Sequence, residues 1–327
     1  MGRVKRPRRP SAGDILLTAA LNAAAAPPAP FFYGGQAVIE GVLMRGRHRY
    51  AVAARRPDGS ITVLSEALRS RVYTRRFWAL PLVRGVASLY EMLGLGLRAM
   101  QWSANVQLGE EVELSQGALR ATVTLSAVSG IALFIGLPLL ASSLLSHGDP
   151  QSVGAVLWEG AARAAILLAY LWLIGRVRGV RRVFEYHGAE HKTINCLEGG
   201  APLEVPHVRA ASRLHPRCGT GFIVVVAVVS IIVFIPLGWL FWPLRILCQI
   251  VLIPLVAGVS YEGIRGVARI RDTPAGRACL VPILAAQRLT TREPDDAQME
   301  VAIAALVAAR AGDAVGAPPA GLSELVP

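Results

Sequence analysis

The chain has 327 residues, 53% of them apolar, and carries 34 Lys and Arg against 22 Asp and Glu. An apolar share this high, with positive mean hydropathy, lies above the range of ordinary soluble domains and points to a membrane protein. The four Cys lack the spacing of a secreted disulfide scaffold, so reduced thiols facing the cytosol are expected.

Residues 1–30 open with Arg3, Lys5, Arg6, Arg8 and Arg9 and continue through an Ala-rich run. Asp14 and Asn22 interrupt that run, and a cleaved signal would export the Arg-rich stretch that follows. A disordered or surface-lying basic arm is expected instead of a signal peptide. Residues 31–72 read as a small β-hairpin-based cytosolic domain. Gln36 to Met44 is strand-like and rich in branched residues. Residues 50–56 and 60–68 flank Pro57-Asp58-Gly59, where Pro presets φ and Gly accepts a positive φ. Residues 77–120 contain a helical stretch over 82–106, with Val86, Leu89, Tyr90, Leu93 and Leu97 at helical spacing. Its Arg84, Glu91 and Arg98 suit a helix lying on the membrane surface or packed on the cytosolic domain.

Two transmembrane helices are expected within 121–175, over 121–145 and 153–174, each near the roughly 20 residues a bilayer core requires. Glu159 and Arg163 are four apart on the second and can pair. Residues 176–220 form a cytoplasmic loop. Residues 221–262 hold a second pair, over 221–241 and 246–261, joined by Trp242-Pro-Leu-Arg245 as a tight antiparallel hairpin. Residues 263–310 form a cytosolic C-terminal segment, in which Thr291 caps a helix starting near Pro294 or Asp295, with an Ala-rich apolar helix over 300–309. Residues 311–327 read as a disordered tail. The fold class is thus a mixed membrane protein: about four transmembrane α-helices, a small β-rich cytosolic N-terminal domain and a cytosolic His/Cys loop.

Lys and Arg set the orientation. The link over 146–152 has none, whereas 176–220 holds eight. Both termini and the central loop are therefore expected on the cytoplasmic side of the cell membrane. The basic excess is explained by topology and contact with membrane lipids, and nucleic acid is not expected as a direct substrate. No complete nucleotide-binding glycine motif appears. Few ionisable residues lie in the spans and no inverted repeat is visible, which argues against a transporter.

The loop carries the chemistry. His187 and His191 are four apart, so on a helix they share one face and can grip one metal ion. With Glu190 they form the H-x-x-E-H order of one class of zinc peptidases, in which the Glu acts as general base. His215 and Cys218 flank a Pro at a spacing that suits a turn presenting two ligands. The candidate metal set is His187, His191, His215 and Cys218, the candidate catalytic residue is Glu190, and the expected cofactor is zinc. Four filled ligands make a structural site; three with Glu190 free make a catalytic one. Glu262, at the same membrane face, is a further candidate ligand or orienting group. Arg217, Lys192 and Arg213 suit an anionic substrate or simply follow the positive-inside rule. Cys196 and His207 are left without a role, and Cys248 lies inside a span.

Four motifs resemble the DUF1385, or YqhQ-like, family of bacterial membrane proteins. They are Tyr33-Gly-Gly-Gln-Ala-Val-Ile-Glu-Gly-Val-Leu-Met-Arg-Gly46, His187-Gly-Ala-Glu-His-Lys192, His215-Pro-Arg-Cys-Gly-Thr220 and Gln287-Arg-Leu-Thr-Thr-Arg-Glu-Pro294. Leu43 stands where Met is expected and Gly221 where Ser is usual. The resemblance spans about 31–306 and implies a metal-dependent membrane enzyme. Two functions follow as expectations. The first is a membrane zinc hydrolase acting at the cytoplasmic face, with the β domain and the 287–294 segment bordering its site. The alternative is a non-enzymatic accessory subunit of a membrane assembly, such as a protein translocation or insertion complex. There the His/Cys cluster is structural and the chain meets a protein partner.

Overall fold

The computed structural model describes residues 33–68, 76–108, 116–145, 153–270 and 273–315. The basic arm expected over 1–30 lies outside them, as does most of the expected tail. Four strands form an antiparallel meander in the order β1-β2-β3-β4: Gly34–Val38, Gly41–Arg45, Arg49–Arg55 and Ile61–Ala67. Strand alternation gives the sheet two apolar faces. Val42, Met44, Ala51 and Ala53 enter one core, while Leu43, Tyr50 and Val52 enter another. A sheet buried on both faces needs a cover on each, and both covers are helical.

The first cover is α1 (Val83–Leu108), which packs Leu95 and Ala99 against the second face. Packing on the sheet, one of the two placements read from the sequence, is the one observed. The opposite core is built by α5 (Arg178–Glu198) and α11 (Asp296–Val315), through Tyr186, Ala189, Ile194, Met299, Ala302, Ala305 and Leu306. Between these lie α2 (Gln116–Ile131), α3 (Leu137–Leu145), α4 (Val153–Ile174), the short α6 (Val205–Ala210), α7 (Gly219–Phe234), α8 (Trp242–Val251), α9 (Ile253–Arg269) and α10 (Pro274–Thr290).

Among the described residues, three helical runs are long and apolar enough to cross a membrane: Arg120–Leu144, Gly154–Ile174 and Gly219–Trp239. The first includes a π-helical turn, Ala132–Gly136, joining α2 to α3. A fourth span forms if α8 and α9 count as one, bent by 49° at their junction. Pro254 in the first turn of α9 accounts for the break, since proline has no N–H to give to the preceding turn.

Several sequence expectations are corrected. Gln36 to Met44 is a hairpin, not one strand: the chain reverses at Ile39-Glu40, with Glu40 at φ 50°. The strand-end side chain of Glu40 holds Arg182 and Tyr186 of α5, which fixes that turn. The Pro57-Asp58-Gly59 turn is present; Gly59 lies at φ 88° and Asp58 accepts from the Ser60 N–H at 2.8 Å. The 176–220 segment is mainly helical, in α5 and α6. The last helix is capped by Asp295, not Thr291. Asp295 Oδ1 accepts from the Gln298 N–H and Gln298 Oε1 accepts from the Asp295 N–H, a reciprocal capping box. Thr291 instead closes α10, its hydroxyl donating to the Gln287 carbonyl at 2.8 Å. The final helix also continues to Val315, past the expected boundary at residue 310.

Candidate metal centre

α5 begins after Val177, which is extended (φ −67°, ψ 126°), and ends at Gly199 and Gly200, the latter at φ 73°. Over that length the 3.6-residue period puts His187 and His191 on one face; their ring centroids are 4.4 Å apart. His187 Nδ1 lies 2.9 Å from the Thr290 carbonyl and His191 Nδ1 lies 2.6 Å from the Arg213 carbonyl. A carbonyl only accepts, so each Nδ1 carries the proton. In the neutral ring each Nε2 then presents a lone pair.

Cys218 comes to the same point from another element. It is the N-cap of α7, and the Thr220 backbone N–H donates to its sulfur at 3.4 Å. His187 Nε2 is 3.2 Å from Cys218 Sγ. Ligand atoms of His187, His191 and Cys218 all lie within 4.8 Å of one another. His191 is 1% exposed, and its Nε2 has no hydrogen-bond partner among the described residues. A buried lone pair beside two other donor atoms is compatible with a metal site. Two imidazoles and a thiolate are a borderline-soft set that suits zinc.

His215 stands beside the group rather than in it. Its ring centroid is 5.8 Å from that of His191, and its Nε2 faces Glu198 at 3.6 Å and Arg217 at 3.4 Å. Burial, then the Arg217 and His191 charges, push its pKa down to about 4, so it is neutral near pH 7. Gln287 grips its backbone twice, accepting from the His215 N–H at 2.9 Å and donating to its carbonyl at 2.8 Å.

Glu190 is 4% exposed. Burial raises its carboxyl to about 7, opposed by the His187 charge and the Gly35 backbone N–H. Its Oε2 has no partner among the described residues, so the Gly35 N–H serves Oε1. Gly35 is required for this approach: a Cβ there would sit 3.1 Å from the carboxyl carbon and would collide with the Leu43 carbonyl. Gly188 plays the same part on the other side, where a Cβ would strike the Arg292 carbonyl.

The remaining candidates have other partners. Glu262 binds Arg84 through both oxygens, at 2.7 and 2.5 Å, and does not join the group. Lys192 is buried, donating to the carbonyls of Arg209 and Ala211 at the end of α6 and pairing with Glu293 at 2.6 Å. Arg217 pairs with Glu198. Cys196 is buried and donates to the Pro202 carbonyl at 3.3 Å. His207 lies 3.7 Å from Glu204.

Sequence reasoning missed the groups that orient the site: the carbonyls of Thr290 and Arg213, the Gln287 amide and the Gly35 N–H. Backbone carbonyls leave no mark in residue type. Gln287 and Thr290 could have been found, since both belong to a motif already singled out.

The model of the DUF1385 family, described as a protein of unknown function, matches residues 80–311. The uncharacterized protein YqhQ of Bacillus subtilis (strain 168) is 34% identical over 293 residues, covering 85% of this chain and 91% of that protein. No solved structure matches.

Proposed function

The chain belongs to the DUF1385 family, and from that premise we propose that it is a membrane-embedded, zinc-dependent hydrolase whose metal is held by His187, His191 and Cys218. The observation that carries this reading is the convergence of those three donors around a buried His191 Nε2 that nothing else satisfies. Three protein ligands leave a position for a reactant, which is the catalytic and not the structural pattern. When bound, the ion supplies Lewis acidity at that point.

The chain's own residues do the rest. Thr290 and Arg213 hold the imidazole tautomers. Glu190 holds or releases a proton at Oε2, and a carboxyl near pH 7 is poised to do both. The Gly35 N–H fixes its other oxygen. Gln287 holds the backbone of His215 beside the site, and the Arg292 carbonyl packs on Gly188. Arg176, Arg178, Arg181 and Arg182 gather where α4 passes into α5, which by the positive-inside rule supports a cytoplasmic site in this reading.

The test is hydrolysis of a quenched fluorescent peptide library by the zinc-loaded full chain beside Glu190→Gln. The variant is expected to keep its zinc and lose at least 100-fold in rate. Equal rates, or loss of zinc from the variant, would remove Glu190 from the role. A second reading, an accessory subunit, draws support from α1. Tyr90, Leu93 and Leu97 are 78, 64 and 39% exposed on its outer side, a strip suited to a protein partner. Stoichiometric copurification that Leu93→Asp abolishes would favour it.

A further inference from the structure

A second buried polar cluster lies inside the spans, far along the chain from the His/Cys group. Glu159 and Arg163 of α4 meet Arg245 and Gln249 of α8, at 1, 8, 3 and 0% exposure. Glu159 Oε1 accepts from Arg163 Nη2 at 2.7 Å and from Gln249 Nε2 at 2.8 Å, and Oε2 accepts from Arg245 Nη2. Arg163 Nε donates to the Phe134 carbonyl at 3.0 Å. Phe134 sits in the π-helical turn Ala132–Gly136, and such turns recur at functional sites.

The charges in this cluster do not balance. Two guanidiniums, which do not deprotonate in proteins, surround one carboxylate. Both oxygens of that carboxylate are already taken. Arg245 Nε is buried and has no partner among the described residues. The cluster therefore has one positive charge in excess and a buried donor without a partner, in a setting where uncompensated charge is costly.

We propose that this cluster binds one phosphate group of single negative charge, and that a phospholipid phosphodiester is its source. Guanidinium N–H forks match phosphate oxygens, and a phosphodiester carries the one negative charge that brings the site to neutrality. Position favours the lipid. Arg245 is three residues, roughly 4.5 Å of helix rise, from Trp242. Trp239, Phe241 and Trp242 are 73, 62 and 69% exposed, and exposed aromatics of this kind mark the head-group level of a bilayer. The inference rests on the membrane placement proposed above but not on the zinc site.

The experiment uses the full chain in detergent and phosphate-free buffer. Thermal unfolding is followed while phosphatidylglycerol micelles, phosphatidylcholine micelles or inorganic phosphate are added. Tightly held phosphorus is measured on the same preparation after washing to constant content. Stabilisation by the phospholipids, with about one phosphorus per chain more in the wild type than in Arg245→Gln, is expected. The variant should bind phospholipid at least tenfold more weakly. Stabilisation by inorganic phosphate alone would keep the phosphate site and overturn the lipid source. No response to any of the three, or an equal response in Arg245→Gln, would overturn the proposal. If Arg245→Gln does not fold, the wild-type titrations decide alone. Zinc content measured in parallel separates failure here from failure of the metal reading.

Discussion

The cluster near the start of α4 and the one on α5, beyond its end, are both buried and polar, yet they are wired in opposite senses. On α5 the protons are tied down by the carbonyls of Thr290 and Arg213, and what remains bare is a lone pair on His191 and an oxygen on Glu190. In the other cluster both oxygens of Glu159 are engaged, and what remains bare among the described residues is the Nε–H of Arg245. Buried polar atoms are normally satisfied, and these imbalances of opposite sense are what the proposed cation and the proposed anion would each meet.

That contrast breaks most visibly if ligands are removed. His191→Ala or Cys218→Ala is expected to drop zinc from about one per chain to none, read by elemental mass spectrometry, because three donors cannot spare one. Arg245→Gln should leave zinc unchanged. Next comes Glu159→Ala, which takes from two buried guanidiniums the carboxylate they share. It should destabilise the protein by about 3–5 kcal/mol in chemical unfolding, whereas removing one of the two cations should cost less.

A third effect is pH-dependent. Folding lowers the pKa of His215 from the usual 6.5 to about 4. The unfolded chain therefore takes up the proton first as pH falls. The stabilisation is complete above about pH 6.5 and is lost as pH drops through about 4. His215→Asn should flatten that acid limb by up to about 3 kcal/mol, visible in unfolding midpoints measured from pH 7 to 4. Gln287→Ala, which strands the buried N–H and carbonyl of His215, should cost about 2 kcal/mol. The smallest effect belongs to the exposed Arg209–Asp296 pair. Breaking it should change stability by less than about 1 kcal/mol.

The approach of His187 to His191 was legible because helical spacing carries it, and Cys218 was singled out by its spacing to His215 just before an apolar run. The Glu159–Arg163 pair was legible from helical spacing too. Its joining to Arg245 and Gln249 was not. These partners lie 86 and 90 residues away, and Trp242 to Arg245 reads as a link when it is the first turn of α8. The reading that ionisable residues are scarce in the spans passed over this cluster. The β1–β2 turn escaped because Glu40 takes a positive φ without the Gly, Asn or Asp that usually signals it, held by contacts to α5 that sequence does not display. His215 was grouped with the ligands on spacing to Cys218. Its displacement depends on Gln287, 72 residues on.

The most direct measurement is zinc-edge X-ray absorption on the purified full chain. The expected spectrum has a first shell of two imidazole nitrogens and one sulfur, the sulfur near roughly 2.3 Å, with the sulfur contribution absent in Cys218→Ser. Absence of bound zinc, or a shell without sulfur in the wild type, would contradict the metal centre.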